Sequence, residues 1–242
     1  MKHIPNALTL ANLFCGCCAL LFTFYWRPEI AALFTAGSFF FDYLDGMAAR
    51  ALKVTSPMGK ELDSLADVIS FGAVPGAMLY QLITGGNTIT TFTGEFGSGT
   101  AISFIGLPAF VLSAFSGLRL AKFNLDTRQT NYFIGLSTPA CTVFVLGLTL
   151  AVHNDRFGLA EILSTQWFLF ALIPILSWLL VSEIPMFGMK IKGLDLKSNA
   201  INLLFLVLFI VLLIFLKELA FSAIIVLYIA LSIILKNKII TP

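Results

Sequence analysis

Four aspartates stand in apolar surroundings at Asp42, Asp45, Asp63 and Asp67, within the stretch DYLDGMAARALKVTSPMGKELDSLAD. A carboxylate at the centre of a bilayer costs about 2.5–3.5 kcal/mol on insertion scales, so four of them require compensation. Asp42 and Asp45 are three residues apart and Asp63 and Asp67 four apart, which on helices puts each pair on one face. Pro57 and Gly59 mark a turn over 53–59. It folds the two helices into an antiparallel hairpin with Asp45 and Asp63 at similar depth. Converging carboxylates supply the all-oxygen ligand set of Mg²⁺, Mn²⁺ or Ca²⁺ rather than of zinc. Gly46 and Ala49 follow on nearly the same face and leave room for a ligand, Arg50 offers a guanidinium fork to phosphate, and Ser56 adds a hydroxyl. Gly59 lies one turn before Asp63. Acids, open space and a fixed cation together suit a pyrophosphate. A transporter lined by acids paired with Arg50, Lys53 and Lys60 is the other reading of this spacing.

The elements that hold these acids are set by composition. The 242 residues are 58% hydrophobic and 12% charged, with a mean hydropathy of +0.94. Soluble domains carry roughly 25% charged residues. Segments 4–26, 101–118, 134–152, 162–182 and 219–235 contain no Asp, Glu, Lys or Arg. Each approaches the roughly 20 residues that cross a hydrocarbon core as a helix. Segments 29–52 and 60–83 have the length but carry the acids, and 199–216 makes an eighth. Continuous apolar runs favour helices over barrel strands, which alternate. The expected fold is therefore an all-α integral membrane protein of about eight transmembrane helices, with no soluble domain.

An even number of spans puts both termini on one side. That side holds twelve cations (Lys2, Arg50, Lys53, Lys60, Arg119, Lys122, Arg128, Lys190, Lys192, Lys197, Lys236 and Lys238) against three (Arg27, Arg156 and Lys217) on the other. The positive-inside rule makes it the cytoplasm. A net charge of +2 says little by itself, and no nucleic-acid partner is expected. Cys15, Cys17, Cys18 and Cys141 fall inside spans and read as small packing residues. The first apolar run is too long for a cleaved leader and reads as a retained helix. Gly106, Pro108, Pro139 and Pro174 are expected to kink their spans, and Trp26 and Trp167 to mark interfaces.

The pattern Asp42-x2-Asp45-Gly46-x2-Ala49-Arg50-x8-Gly59-x3-Asp63-x3-Asp67 resembles the signature of the CDP-alcohol phosphatidyltransferase family at every position. The resemblance implies a six-helix core over 1–198, two additional helices over 199–242, and a homodimer. It implies that Asp42, Asp45, Asp63 and Asp67 hold two divalent cations, Mg²⁺ or Mn²⁺, with Asp67 also the general base. Asn6, Gly46, Ala49, Arg50, Ser56 and Gly59 would contact or make room for the cytidine diphosphate of a CDP-linked lipid. CDP-diacylglycerol is the implied donor.

Three further stretches bear on the acceptor. The opening 4–16, the run 68–76 after the last aspartate, and Gly117-Leu-Arg119-Leu-Ala-Lys122-Phe-Asn124 resemble the serine-accepting branch of that family; 181–185 resembles it with changes. L-serine is thus the expected acceptor, with Arg119 and Lys122, one turn apart, placed to pair with its carboxylate. A sibling activity on glycerol 3-phosphate would call for more cations around the pocket. Lys190 and Lys192 read as surface cations. His153, Asp155, Arg156 and Glu161 fall on the outer side, away from the chemistry.

Overall fold

Helix α1 (His3–Phe24) buries a stripe of small and polar residues, among them Thr9, Asn12, Gly16, Ala19 and Thr23. It turns Ile4, Leu10, Phe14 and Leu21 outward. Helix α2 (Pro28–Ala51) repeats this, with Ala31, Thr35, Ser38 and Asp45 inside and Ile30, Leu33, Phe40 and Tyr43 outside. Water would drive the opposite arrangement. In lipid no hydrophobic force separates the faces, and small residues let helix backbones approach closely. Gly37 shows the fit: a β-carbon there would sit 3.2 Å from Cys15 Sγ.

These features belong to a computed structural model that describes residues 3–54, 56–86, 103–126, 132–187 and 200–234. The loop over 87–100 lies outside the described residues, as do Lys2, Arg128, Lys190, Lys192, Lys197, Lys236 and Lys238.

Helix α3 (Pro57–Asp67) runs through a π-helical turn (Val68–Ala73) into α4 (Val74–Ile83). The three form one 27-residue rod. Every residue of α4 is buried, which makes it the axis of the bundle. The turn before α3 is shorter than the spacing predicts: Pro57 and Gly59 are already helical. Ser56 is the N-cap, its hydroxyl accepting from the Gly59 N–H at 2.9 Å, and Pro57 at the first position has no N–H to leave unsatisfied.

A 3₁₀ turn (Phe104–Ala109) containing Pro108 leads into α5 (Phe110–Leu125). Helix α6 (Thr138–Asn154) starts at N-cap Ser137, so Pro139 opens this helix instead of kinking it. A single turn, α7 (Ala160–Leu163), precedes α8 (Gln166–Val181), which contains Pro174. Helices α9 (Ala200–Leu216) and α10 (Leu219–Ile234) close the described chain. Helix α10 packs on α6 through Ser222, whose hydroxyl donates to the Phe144 carbonyl at 2.7 Å.

Among the described residues the fold is all-α apart from two three-residue strands, β1 (Tyr132–Ile134) and β2 (Pro185–Phe187). They pair antiparallel with Phe133 opposite Met186. Gly135, at φ +73°, makes this strap possible, because a β-carbon there would lie 2.8 Å from the carbonyls of Leu180 and Ser182. By length and composition His3–Phe24, Pro57–Ile83 and Phe104–Leu125 suffice to cross a membrane. Thr138–Asn154, Gln166–Val181, Phe205–Leu216 and Leu219–Ile234 are shorter apolar helices.

Candidate active site

Helices α2 and α3 lie antiparallel across their short turn, and the acids of each face the other. One carboxylate oxygen from each of Asp42, Asp63 and Asp67 falls within 4.8 Å of the others. Asp45 stands outside that trio. It is buried and lies 2.6 Å from the hydroxyl of Thr9 on α1, which donates to it. Among the described residues no lysine or arginine forms an ion pair with any of the four. Asp63 Oδ1 is buried with no hydrogen-bond partner at all. Like charges this close repel one another, and a cation held between them would relieve that repulsion. The donor set fits a hard divalent ion.

Beside the acids opens a cavity of about 550 Å³, in the size range of small-molecule sites. Asn6 lines it from α1, Asp45, Gly46 and Ala49 from α2, and Ser56, Gly59 and Asp63 from the cap and first turns of α3. Of the two glycines, Gly59 is the more tightly enclosed. A β-carbon on Gly59 would sit 3.0 Å from Ser56 Oγ and 3.2 Å from Asn6 Oδ1. On Gly46 it would meet the Arg50 guanidinium at 3.4 Å. Arg50 itself is exposed in the last turn of α2, at the rim and not in the lining. Lys60 borders the cavity and donates to the Asn124 carbonyl at 3.1 Å, while the Asn124 amide donates to Ser64 Oγ at 2.7 Å. The end of α5 is thereby fastened to α3.

Arg119 and Lys122 occupy different surroundings from the residues lining this cavity. They border a second, small cavity of about 50 Å³ together with Asp126, Ser182 and Glu183. Lys122 is exposed. Arg119 is 7% exposed, with its guanidinium 4.8 Å from the centre of the Phe123 ring, and it lies within electrostatic range of Asp67. A buried guanidinium has five donors to satisfy, and this one has no ion-pair partner among the described residues. Asp45 and Asp63 thus border the larger cavity, and Arg119 borders the smaller one.

Two contributors are not singled out by the acidic motif. Thr9 holds Asp45, and Asn12 donates from Nδ2 to Asp67 Oδ1 at 3.3 Å. Their signal was present as Asn6, Thr9 and Asn12, polar at every third position of an otherwise apolar helix. The opposite end of the bundle carries pairs remote from the acids: His153 with Glu29 at 3.1 Å and Arg156 with Glu218 at 3.0 Å.

A family model described as CDP-alcohol phosphatidyltransferase matches residues 2–181. Among similar proteins is the CDP-diacylglycerol–serine O-phosphatidyltransferase of Bacillus subtilis, 36% identical over 140 residues, covering 57% of this chain and 71% of that protein. The protein of the same name from Helicobacter pylori is 33% identical over 205 residues, 84% of this chain and 79% of its own length. That of Mycobacterium leprae is 33% identical over 193 residues, 77% of this chain and 58% of its length.

Proposed function

The chain belongs to the CDP-alcohol phosphatidyltransferase family, and from that premise we propose that it transfers the phosphatidyl group of CDP-diacylglycerol to the hydroxyl of L-serine, giving phosphatidylserine and CMP. The observation that carries this reading is the cluster of unpaired carboxylates on α2 and α3 beside a cavity lined by small residues. Names shared by relatives from several organisms support serine as the acceptor.

In this reading Asp42, Asp45, Asp63 and Asp67 hold divalent cations, Mg²⁺ or Mn²⁺, two per site. When bound, such ions neutralise the pyrophosphate and stabilise the charge on the departing CMP. Asn6, Gly46, Ala49, Ser56 and Gly59 cradle the cytidine diphosphate, and Arg50 closes on a phosphate from the rim. Asp67 takes the serine proton as the serine oxygen bonds to the phosphorus that carries diacylglycerol. The bond from that phosphorus to the CMP oxygen breaks. A serine hydroxyl is weakly acidic, so a base within hydrogen-bond reach matters. Arg119, supported by Lys122, receives the serine carboxylate.

The same reading makes the chain a multi-pass protein of eight spans, with a six-helix core over 1–198 and a hairpin over 199–242. Both termini and the active site face the cytoplasm, and the protein acts as a homodimer. The lipid donor enters sideways from the bilayer, while serine and CMP exchange with water.

The experiment is a comparison of acceptors. Membranes holding the protein are given CDP-diacylglycerol and Mg²⁺ or Mn²⁺, with serine, glycerol 3-phosphate or inositol phosphate supplied separately, and CMP is measured. Release is expected with serine and is lost after exhaustive EDTA treatment. Release with glycerol 3-phosphate and none with serine would reassign the acceptor.

A further inference from the structure

Asp67 is held from another helix. Asn12, in the middle of α1, is fully buried and donates its amide N–H to Asp67 Oδ1 at 3.3 Å. Its backbone is fastened twice: the Asn12 carbonyl accepts from Ser38 Oγ on α2 at 3.1 Å and from Ser70 Oγ in the π turn at 3.2 Å. One turn on, Gly16 permits that approach, because a β-carbon there would collide with Ser70.

The π turn begins at the residue after Asp67. Such turns are rare inside α-helices and concentrate at functional sites. Here the turn brings Ser70 to the carbonyl of the residue whose side chain grips Asp67. Asn12 Oδ1 is buried and accepts no hydrogen bond from the protein. An amide present only for packing has its buried polar atoms satisfied within the fold, and this one keeps an acceptor open beside the acids.

We propose that Asn12 is the positioning residue for Asp67. Its N–H fixes one carboxylate oxygen and so directs the other toward the bound ligands, a role that rests on Asp67 serving the site as described above. Asn12 touches Asp67 and not the reacting atoms, so its removal should disturb the acid's work without emptying the cytidine cavity.

The test uses the full chain, purified in detergent, with Asn12→Ala and the similarly branched Asn12→Leu, which cannot donate. Outer-shell substitutions of this kind typically lower metal affinity or activity by about 10–100-fold. Asn12→Ala is expected to weaken substrate-free Mn²⁺ binding, followed by electron paramagnetic resonance, and to lower kcat by factors in that range. KM for CDP-diacylglycerol should stay within about threefold. Asn12→Leu should lose kcat while keeping a cooperative thermal transition.

Wild-type kcat and Mn²⁺ affinity in Asn12→Ala would overturn the proposal. So would loss of folding in both variants, which would make Asn12 a packing residue. If the wild type releases CMP with another alcohol and none with serine, the acceptor assignment fails, while the Mn²⁺ measurement still decides the role of Asn12.

Discussion

At the scale of single residues, Asp63 has the most diagnostic environment, because one of its oxygens is buried and meets no donor. Removing an uncompensated buried carboxylate relieves desolvation and repulsion in the metal-free protein. Asp63→Ala is therefore expected to lower CMP release at least about 10²-fold, the loss of a metal-held charge in the transition state. Its thermal midpoint in EDTA should match or exceed that of the wild type. Substantial turnover in this variant would refute the metal assignment. Arg119 is buried against Phe123 without an ion-pair partner among the described residues. A hydrogen bond to a charged group contributes about 1.5–3 kcal/mol, so Arg119→Ala should raise KM for serine roughly tenfold or more and leave that for CDP-diacylglycerol nearly unchanged. An unaltered serine KM would remove Arg119 from the pocket.

Among the elements, α1 does more than anchor the chain. Its small and polar stripe packs against α2 and the α3–α4 rod, and through Thr9 and Asn12 it reaches one acid on each. The hairpin of α9 and α10 plays a different part. The family match ends at residue 181, before the hairpin begins, yet α10 lies so close to α6 that a β-carbon on Gly147 would stand 2.7 Å from the Ser222 backbone nitrogen and from Phe221 Cβ. Backbone cannot yield as a flexible side chain does. Gly147→Val is accordingly expected to destabilise by about 1–3 kcal/mol, the usual range for overpacking, seen as a lower thermal midpoint in detergent. A midpoint equal to the wild type would show that the two helices separate without cost.

For the whole molecule, the outward apolar faces of α1, α2 and α9 suit lipid, and the charges report orientation. Lys217 and Glu218 join α9 to α10 at the same end as Arg27, Glu29, His153 and Arg156, as the His153–Glu29 and Arg156–Glu218 pairs require. Arg50, Lys53 and Lys60 flank the turn at the opposite end of the α2–α3 hairpin. With the positive-inside rule, a cysteine placed at Lys217 in a chain freed of its four native cysteines should react with an impermeant maleimide added outside intact cells. One placed at Lys53 should react only after the membrane is opened. The reverse pattern would invert the proposed topology.

The aspartates, their glycine and alanine spacers and the apolar runs around them were legible because the information is local. Periodicity within one helix decides which acids share a face, and run length decides what lipid accepts. The hairpin followed from the same local signals, although Pro57 and Gly59 proved to open α3 and not to form the turn. What packing decided is the company each acid keeps. Asn12 and Asp67 are 55 positions apart and Thr9 and Asp45 are 36 apart; no periodicity spans such distances. The β1–β2 strap beside the Arg119 cavity likewise joins segments that follow different helices. Short-range spacing sets which chemistry a chain can attempt, whereas the orientation of each reactive group depends on neighbours that only the packed bundle brings within hydrogen-bond reach.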